Sequence, residues 1–290
     1  MTDHAALAAR CRVTPGAAVS LDDWDPADRL GLDKSDVEDM LAAGAERLSA
    51  LHECLYAQRA WSVLLVLQGM DASGKDGAIK RLAAGLNAQG LRVVSFAAPS
   101  TLELSHDFLW RVHQALPPRG MVGIFNRSHY EDVVAPRANP ALLPRLGLPA
   151  SLVGPDMWTR RLGAIVAFET YLAQQGTVMA KVFLNISAAE QRKRLLARLD
   201  DPAKEWKFDA ADLNARNLWA EHRAAYDDAF TATATAAAPW YIVPADSKPV
   251  ARALVQAILL TMLEGLDLDR PAPTMERLAT MEAARQHLKA

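Results

Sequence analysis

Residues 62–76 read Ser62-Val-Leu-Leu-Val-Leu-Gln-Gly-Met-Asp-Ala-Ser-Gly-Lys-Asp76, and this stretch decides the fold. Residues 62–68 are a short, continuous apolar run that stops at Gly69. A run that is apolar on both faces predicts a central strand of a parallel sheet. Gly69 to Asp76 then matches G-x-x-x-x-G-K, with Asp76 where a Ser or Thr usually follows. The motif alone occurs by chance, but here it follows a strand and opens a helix, the setting that gives it meaning. Glycines let the backbone turn so that successive amides point inward at a phosphate. The helix N-terminus adds its positive end, and Lys75 adds a point charge. Gly69, Ala72, Ser73, Gly74, Asp76 and Gly77 are therefore phosphate-binding candidates. The competing reading is a tight strand-to-helix turn with no ligand.

Outward from this loop, strands and helices alternate. Strands are expected at 92–96, 121–125, 178–184 and 241–244. Helices are expected at 35–56, 74–86, 157–175, 187–199, 210–229 and 250–264, the first with Ser35 and Glu38 as a capping box. This alternation predicts a five-stranded parallel sheet built from βαβ units. Residues 1 to about 30 lack periodicity and read as an irregular arm. Residues after about 266 read as a tail with a helical end from Thr274. The division expected is an arm at 1–34, one phosphate-loop domain at 35–266 and a tail at 267–290.

Composition narrows the class. The chain has 290 residues, 51% hydrophobic and 23% charged, enough to bury a full core. Its 32 basic and 34 acidic residues give a net charge of -2, which argues against a nucleic-acid binder. Two cysteines, Cys11 and Cys54, form no disulfide framework. No signal-peptide core and no apolar run of membrane-spanning length is present. A cytoplasmic protein with no membrane partner is expected.

With no Ser or Thr after Lys75, a metal ion needs another ligand. Asp71 offers a hard carboxylate oxygen suited to Mg²⁺, or else it caps the loop. A second cluster, Asn126-Arg-Ser-His-Tyr-Glu-Asp132, follows the third strand and should face the loop, since ligands sit at the carboxyl ends of parallel strands. Arg127 is placed to clamp a phosphate or to pair with Glu131. Glu131 or Asp132 is placed to hold metal, and Asn126 stands where nucleotide hydrolases usually carry an Asp. His129 reads equally well as a structural histidine.

Five segments together resemble the polyphosphate kinase 2 family of polyphosphate:nucleotide phosphotransferases: 67–77, 99–111 (PSTLELSHDFLWR), 123–133 (GIFNRSHYEDV), 190–208 (EQRKRLLARLDDPAKEWKF) and 238–248. The SHYEDV form is similar to the subgroup that acts on both AMP and ADP. Pro249 and Asn185 depart from the family pattern. The resemblance implies a three-layer α/β/α P-loop kinase fold with a helical lid at about 187–229. It implies polyphosphate as phosphoryl donor, a nucleotide (AMP or ADP, or the guanine counterparts) as acceptor, and Mg²⁺ or Mn²⁺ as cofactor. Asp71, Lys75 and Arg127 are its implied catalytic residues, with metal at Asp71 and Glu131.

A polyanion donor needs basic groups beyond the loop. Lys80 and Arg81 follow it, and the lid carries Arg194, Arg198, Lys204, Lys207 and Arg216. On their own these read as a solvated charged face; the resemblance turns them into a polyphosphate track. His106 and Asp107, with Asn126 and Glu131, are the nucleotide-binding candidates. A homo-oligomer, dimer or tetramer, is expected. The alternatives are an ATP-dependent kinase of a small metabolite or nucleoside, and a P-loop binding module without turnover.

Overall fold

The computed structural model describes residues 3–203, 206 and 216–289. At its centre is strand β1 (Ser62–Gln68), buried along its whole length. Side chains alternate across a strand. Leu64 and Val66 join one core layer with Val112, Phe125 and Leu172. Val63, Leu65 and Leu67 join the other with Leu48, Leu55 and Leu254. Around β1 lie β2 (Leu91–Ser95), β3 (Val122–Asn126), β4 (Thr177–Asn185) and β5 (Trp240–Pro244). They form one sheet in the order β2-β3-β1-β4-β5, with every pair parallel. Leu67 of β1 stands beside Asn126 of β3. The two candidate loops therefore leave the same end of the sheet side by side.

The helices are α1 (His4–Cys11), α2 (Lys34–Gln58), α3 (Lys75–Ala83), α4 (Thr101–Leu104), α5 (Trp110–Ala115), α6 (Glu131–Ala138), α7 (Met157–Gln174), α8 (Ala188–Leu199), α9 (Trp219–Thr233), α10 (Lys248–Glu264) and α11 (Met275–Lys289). Helix α10 packs against α1, α2 and α3, while α6, α7 and α9 pack together. This is the expected three-layer α/β/α fold. Among the described residues, no helix is long and apolar enough to cross a membrane.

Three local expectations need correction. The segment read as an irregular arm contains α1, capped by the Asp3 side chain. Leu7, Ala8, Cys11 and Val13 are buried in the main core. Arg12 forms an antiparallel bridge with Tyr241 of β5, and Val13 N donates to Trp240 O at 2.9 Å. Eight Ala-rich residues give too short a pattern to read as a helix. Further on, Trp24 O accepts from Asn185 Nδ2 (2.8 Å) at the end of β4. The α2 cap is not Ser35 with Glu38. Asp33 and Asp36 form the reciprocal box instead, two residues earlier. The cluster after β3 was expected to face the loop, with His129 equally readable as structural; Ser128, His129 and Tyr130 are fully buried behind the loop.

Those three residues lean on a buried charge pair. Lys181 Nζ donates to Glu169 Oε2 (2.5 Å), Thr233 O (2.8 Å) and Tyr130 Oη (3.1 Å). Glu169 Oε1 accepts from Tyr130 Oη at 3.0 Å and stands 3.2 Å from His129 Nε2. Burial opposes ionisation of Glu169, but Lys181 and His129 outweigh it and hold the carboxyl below the usual range. The structural reading of His129 is the one this geometry supports.

Candidate active site

The loop after β1 is shaped by residues in the left-handed region. Gly69 has φ +147° and Gly74 φ +112°. At Gly69 a Cβ would lie 2.8 Å from Ser73 Oγ and 2.9 Å from the Leu184 carbonyl oxygen, so no side chain fits. Ala72 (φ +62°) and Arg127 (φ +64°) are two of the four non-glycine residues at positive φ among the described residues. Such outliers persist where the surroundings over-determine them, and they gather at functional sites.

Inside the loop, Lys75 is 8% exposed, and its Nζ donates to Gly69 O (2.6 Å) and Met70 O (3.3 Å). Burial, and then the nearby Arg127 guanidinium, bring its pKa down to about 8. Ser73 Oγ is buried with no hydrogen-bond partner among the described residues. A buried hydroxyl without a partner is costly, and a phosphate oxygen would satisfy it.

Arg127 joins the two loops. Its backbone N donates to Leu67 O (2.9 Å). Its Nη2 meets Asp71 Oδ1 at 2.5 Å and its Nη1 lies 3.7 Å from Glu131 Oε2. Asp71, Lys75, Arg127 and Glu131 therefore form one cluster. Burial raises the Glu131 pKa, against the pull of Arg127 and Lys75. Among the described residues no three His, Cys, Asp or Glu side chains form a metal cage. Mg²⁺ needs none, because it commonly takes one or two carboxylates together with substrate phosphates. The Asp71 and Glu131 carboxylates, either side of one guanidinium, fit that mode.

Other candidates have different surroundings. Asp76 Oδ1 accepts from Asn126 Nδ2 at 3.0 Å. A Cβ at Gly77 would meet Arg252 Nη2 at 2.9 Å, so this glycine admits a close approach by α10. Lys80 and Arg81 are exposed at the end of α3, and Arg198 is half-buried on α8. Lys204 and Lys207 lie outside the described residues. Arg194 was expected in an open polyphosphate track but is 7% exposed and bonded to backbone carbonyls behind the loop. Arg216 likewise donates to Ala188 O and Gln191 Oε1. Desolvated guanidiniums are held where several fixed acceptors converge.

His106 stacks on Trp110, with ring centroids 4.1 Å apart. Asp107 Oδ1 accepts from Leu109 N. Both line a cleft of about 240 Å³ beside the site, with Leu104, Phe108, Leu148 and Met157 as apolar walls. Asp132 lines it too and was an alternative metal ligand. Its carboxylate instead pairs with Arg111 Nη2 at 3.0 Å.

A family model described as polyphosphate kinase 2 (PPK2) matches residues 31–271. The chain belongs to the polyphosphate kinase 2 family. It is 42% identical over 279 residues to an ADP-polyphosphate phosphotransferase of Rhodopseudomonas palustris, covering 96% of each chain. It is 44% identical over 264 residues to an AMP/ADP-polyphosphate phosphotransferase of Meiothermus ruber, covering 90% of this chain and 95% of the other. The crystal structure of polyphosphate kinase 2 from Arthrobacter aurescens TC1 superposes with a TM-score of 0.87 at 40% identity. That match covers 97% of this chain and 96% of the other.

In this polyphosphate kinase 2 chain, the loop also depends on residues that sequence reasoning missed. Gln68 is fully buried at the end of β1. With its amide set to satisfy both ends, it donates to Tyr226 Oη (3.0 Å) and Glu131 Oε1 (2.8 Å) and accepts from Ser128 Oγ (2.9 Å). Tyr226 and His222 come from α9. Burial lowers the His222 pKa, while the facing Asp71 carboxylate opposes the shift. A glutamine ending an apolar run was the one available signal.

Proposed function

We infer that this chain transfers a phosphoryl group from inorganic polyphosphate to a nucleotide, with AMP and ADP as acceptors, and that the transfer is reversible. The carrying observation is the single cluster of Lys75, Ser73 Oγ, Arg127, Asp71 and Glu131 at the adjoining ends of β1 and β3. Family membership supports the donor and acceptor classes. Phosphoryl transfer needs little covalent help; it needs two phosphates in line and their charge neutralised. The loop amides and Lys75 bind the donor end, and Arg127 spans donor and acceptor phosphates. The cleft carrying His106 and Asp107 receives the acceptor's base. Asp71 and Glu131 would hold Mg²⁺, which when bound offsets charge on the transferring phosphate.

The test is a phosphotransfer assay with Mg²⁺ and long-chain polyphosphate, supplying AMP, ADP, GMP and GDP separately and resolving products by chromatography. The expected result is ADP or ATP formed with no ATP supplied. No product from polyphosphate, with ATP phosphorylating a small metabolite instead, would overturn the reading.

The lowered Lys75 pKa adds a pH prediction. Below about 8 the free enzyme carries the ammonium; above it the amine is neutral. Because kcat/KM reports the groups of the free enzyme, kcat/KM for polyphosphate is expected to fall as pH rises through about 8. An ordinary lysine would keep its charge to about 10.4. A profile flat from pH 7 to 9.5 would refute this role for the amine.

A further inference from the structure

Helix α8 turns Gln191 and Arg194, three residues apart and so on one face, toward the back of the phosphate loop. Gln191 is fully buried, and its Nε2 donates to Asp71 O at 3.1 Å. Arg194 uses all five of its N–H groups. Nη1 donates to Ala72 O (3.1 Å) and Ser73 O (2.9 Å). Nη2 donates to Ala245 O (2.7 Å) and Asp246 O (2.9 Å). Nε donates to Glu190 Oε1 (2.9 Å). Arg216 Nη1 holds Gln191 from the other side, at Oε1 (2.9 Å).

Three consecutive carbonyls, those of residues 71, 72 and 73, are thus drawn toward α8. A trans peptide is planar, with its C=O and N–H pointing in opposite directions. The amides of residues 72, 73 and 74 are therefore turned away from α8. The Ser73 amide closes onto Met70 O at 3.1 Å. The Ala72 and Gly74 amides have no acceptor among the described residues. Holding Ala72 at φ +62° costs of order 1 kcal/mol and must be enforced from outside the residue.

We propose that Gln191 and Arg194 are positioning residues for the donor phosphate. They set the direction of the loop amides from behind, without touching the phosphate themselves. The proposal rests on the reading of the loop as the polyphosphate site. A guanidinium fork is required, because five N–H groups meet five acceptors. An ammonium keeps the charge but offers three donors from one point. The same side chain also ties the loop after β5 to the phosphate loop, so a shift of α8 moves both.

The test compares wild type, Arg194→Lys and Gln191→Leu. Binding of inorganic tripolyphosphate is measured by calorimetry, KM is measured separately for long-chain polyphosphate and for the nucleotide, and melting follows the fold. Arg194→Lys is expected to raise the tripolyphosphate Kd and the polyphosphate KM about 30-fold or more, with the nucleotide KM within twofold of wild type. Gln191→Leu removes one bond to the loop, along with the contact from Arg216, and is expected to raise them about fivefold, which keeps the test open if the arginine variant does not fold. Folded variants that bind tripolyphosphate like wild type, or whose two KM values rise together, overturn the positioning role. A wild-type chain that binds no tripolyphosphate fails at the donor reading itself, and the proposal falls with it.

Discussion

Lys75→Ala is expected to lower kcat/KM for polyphosphate by at least about 10³-fold while leaving the melting temperature unchanged or slightly raised. The two halves of this result have different causes. Removing one preorganised donor from a phosphate or oxyanion site typically costs 10² to 10³ in rate. Lys75 also supplies the loop's central positive charge, beside the strained Ala72 and Arg127. Its effect on the fold runs the other way. The ammonium is almost buried, its pKa is depressed first by desolvation and then by Arg127, and its partners are two carbonyls of its own loop. Truncation relieves a buried charge and opens only a small space at the loop. Activity within tenfold of wild type would remove Lys75 from the reaction, and a large fall in melting temperature would recast it as a structural group.

The largest effect on stability is expected at Lys181→Met, about 3–5 kcal/mol, read by urea denaturation. Lys181 and Glu169 are both about 1% exposed or less. The side chain swap is apolar and of similar length, so packing is nearly kept. What remains is a carboxylate with its strongest partner gone, and an unpaired buried charge costs several kcal/mol. Tyr130 Oη and Thr233 O lose the Lys181 ammonium as well, while Tyr130 and His129 keep their contacts with the stranded carboxyl. Converting Glu169 to Gln in the same chain should restore part of the loss, because an amide carries no charge to strand. Equal losses in the single and double variants would show that the cost lies in packing and not in the charge.

The strands were legible to within a residue or so at each end; β1, β3, β4 and β5 are largely buried, and buried parallel strands are continuous apolar runs with no competing period. The loop at 69–75 was legible because motif and setting agreed. The residues around it were less so. Arg194 and Arg216 look in sequence like any basic residues on an exposed helix; only the fold shows that carbonyls converge on them. A faint signal was present in α8, where Gln191, Arg194 and Leu195 share the buried face. His222 and Tyr226 were beyond reach, since their meeting with Asp71 and Gln68 spans about 150 residues of chain. Helix α1 was missed because its stripe is three residues long, and its burial depends on β5 and α10.

That placement of α1 has a consequence for synthesis. The helix seats on α10, the last helix of the core, and the residues just after it, Arg12 and Val13, bridge to the free edge of β5. Its partners emerge from the ribosome roughly 230 residues later, at about 5–20 residues per second, so for some 10 to 50 seconds it has nothing to dock on. During that interval Leu7, Cys11 and Val13 face water, and until Arg12 and Val13 dock, the newly made β5 lacks their bridge to its outer edge, leaving it open to other chains. Maturation of a nascent chain then depends on how quickly α1 finds β5 and α10.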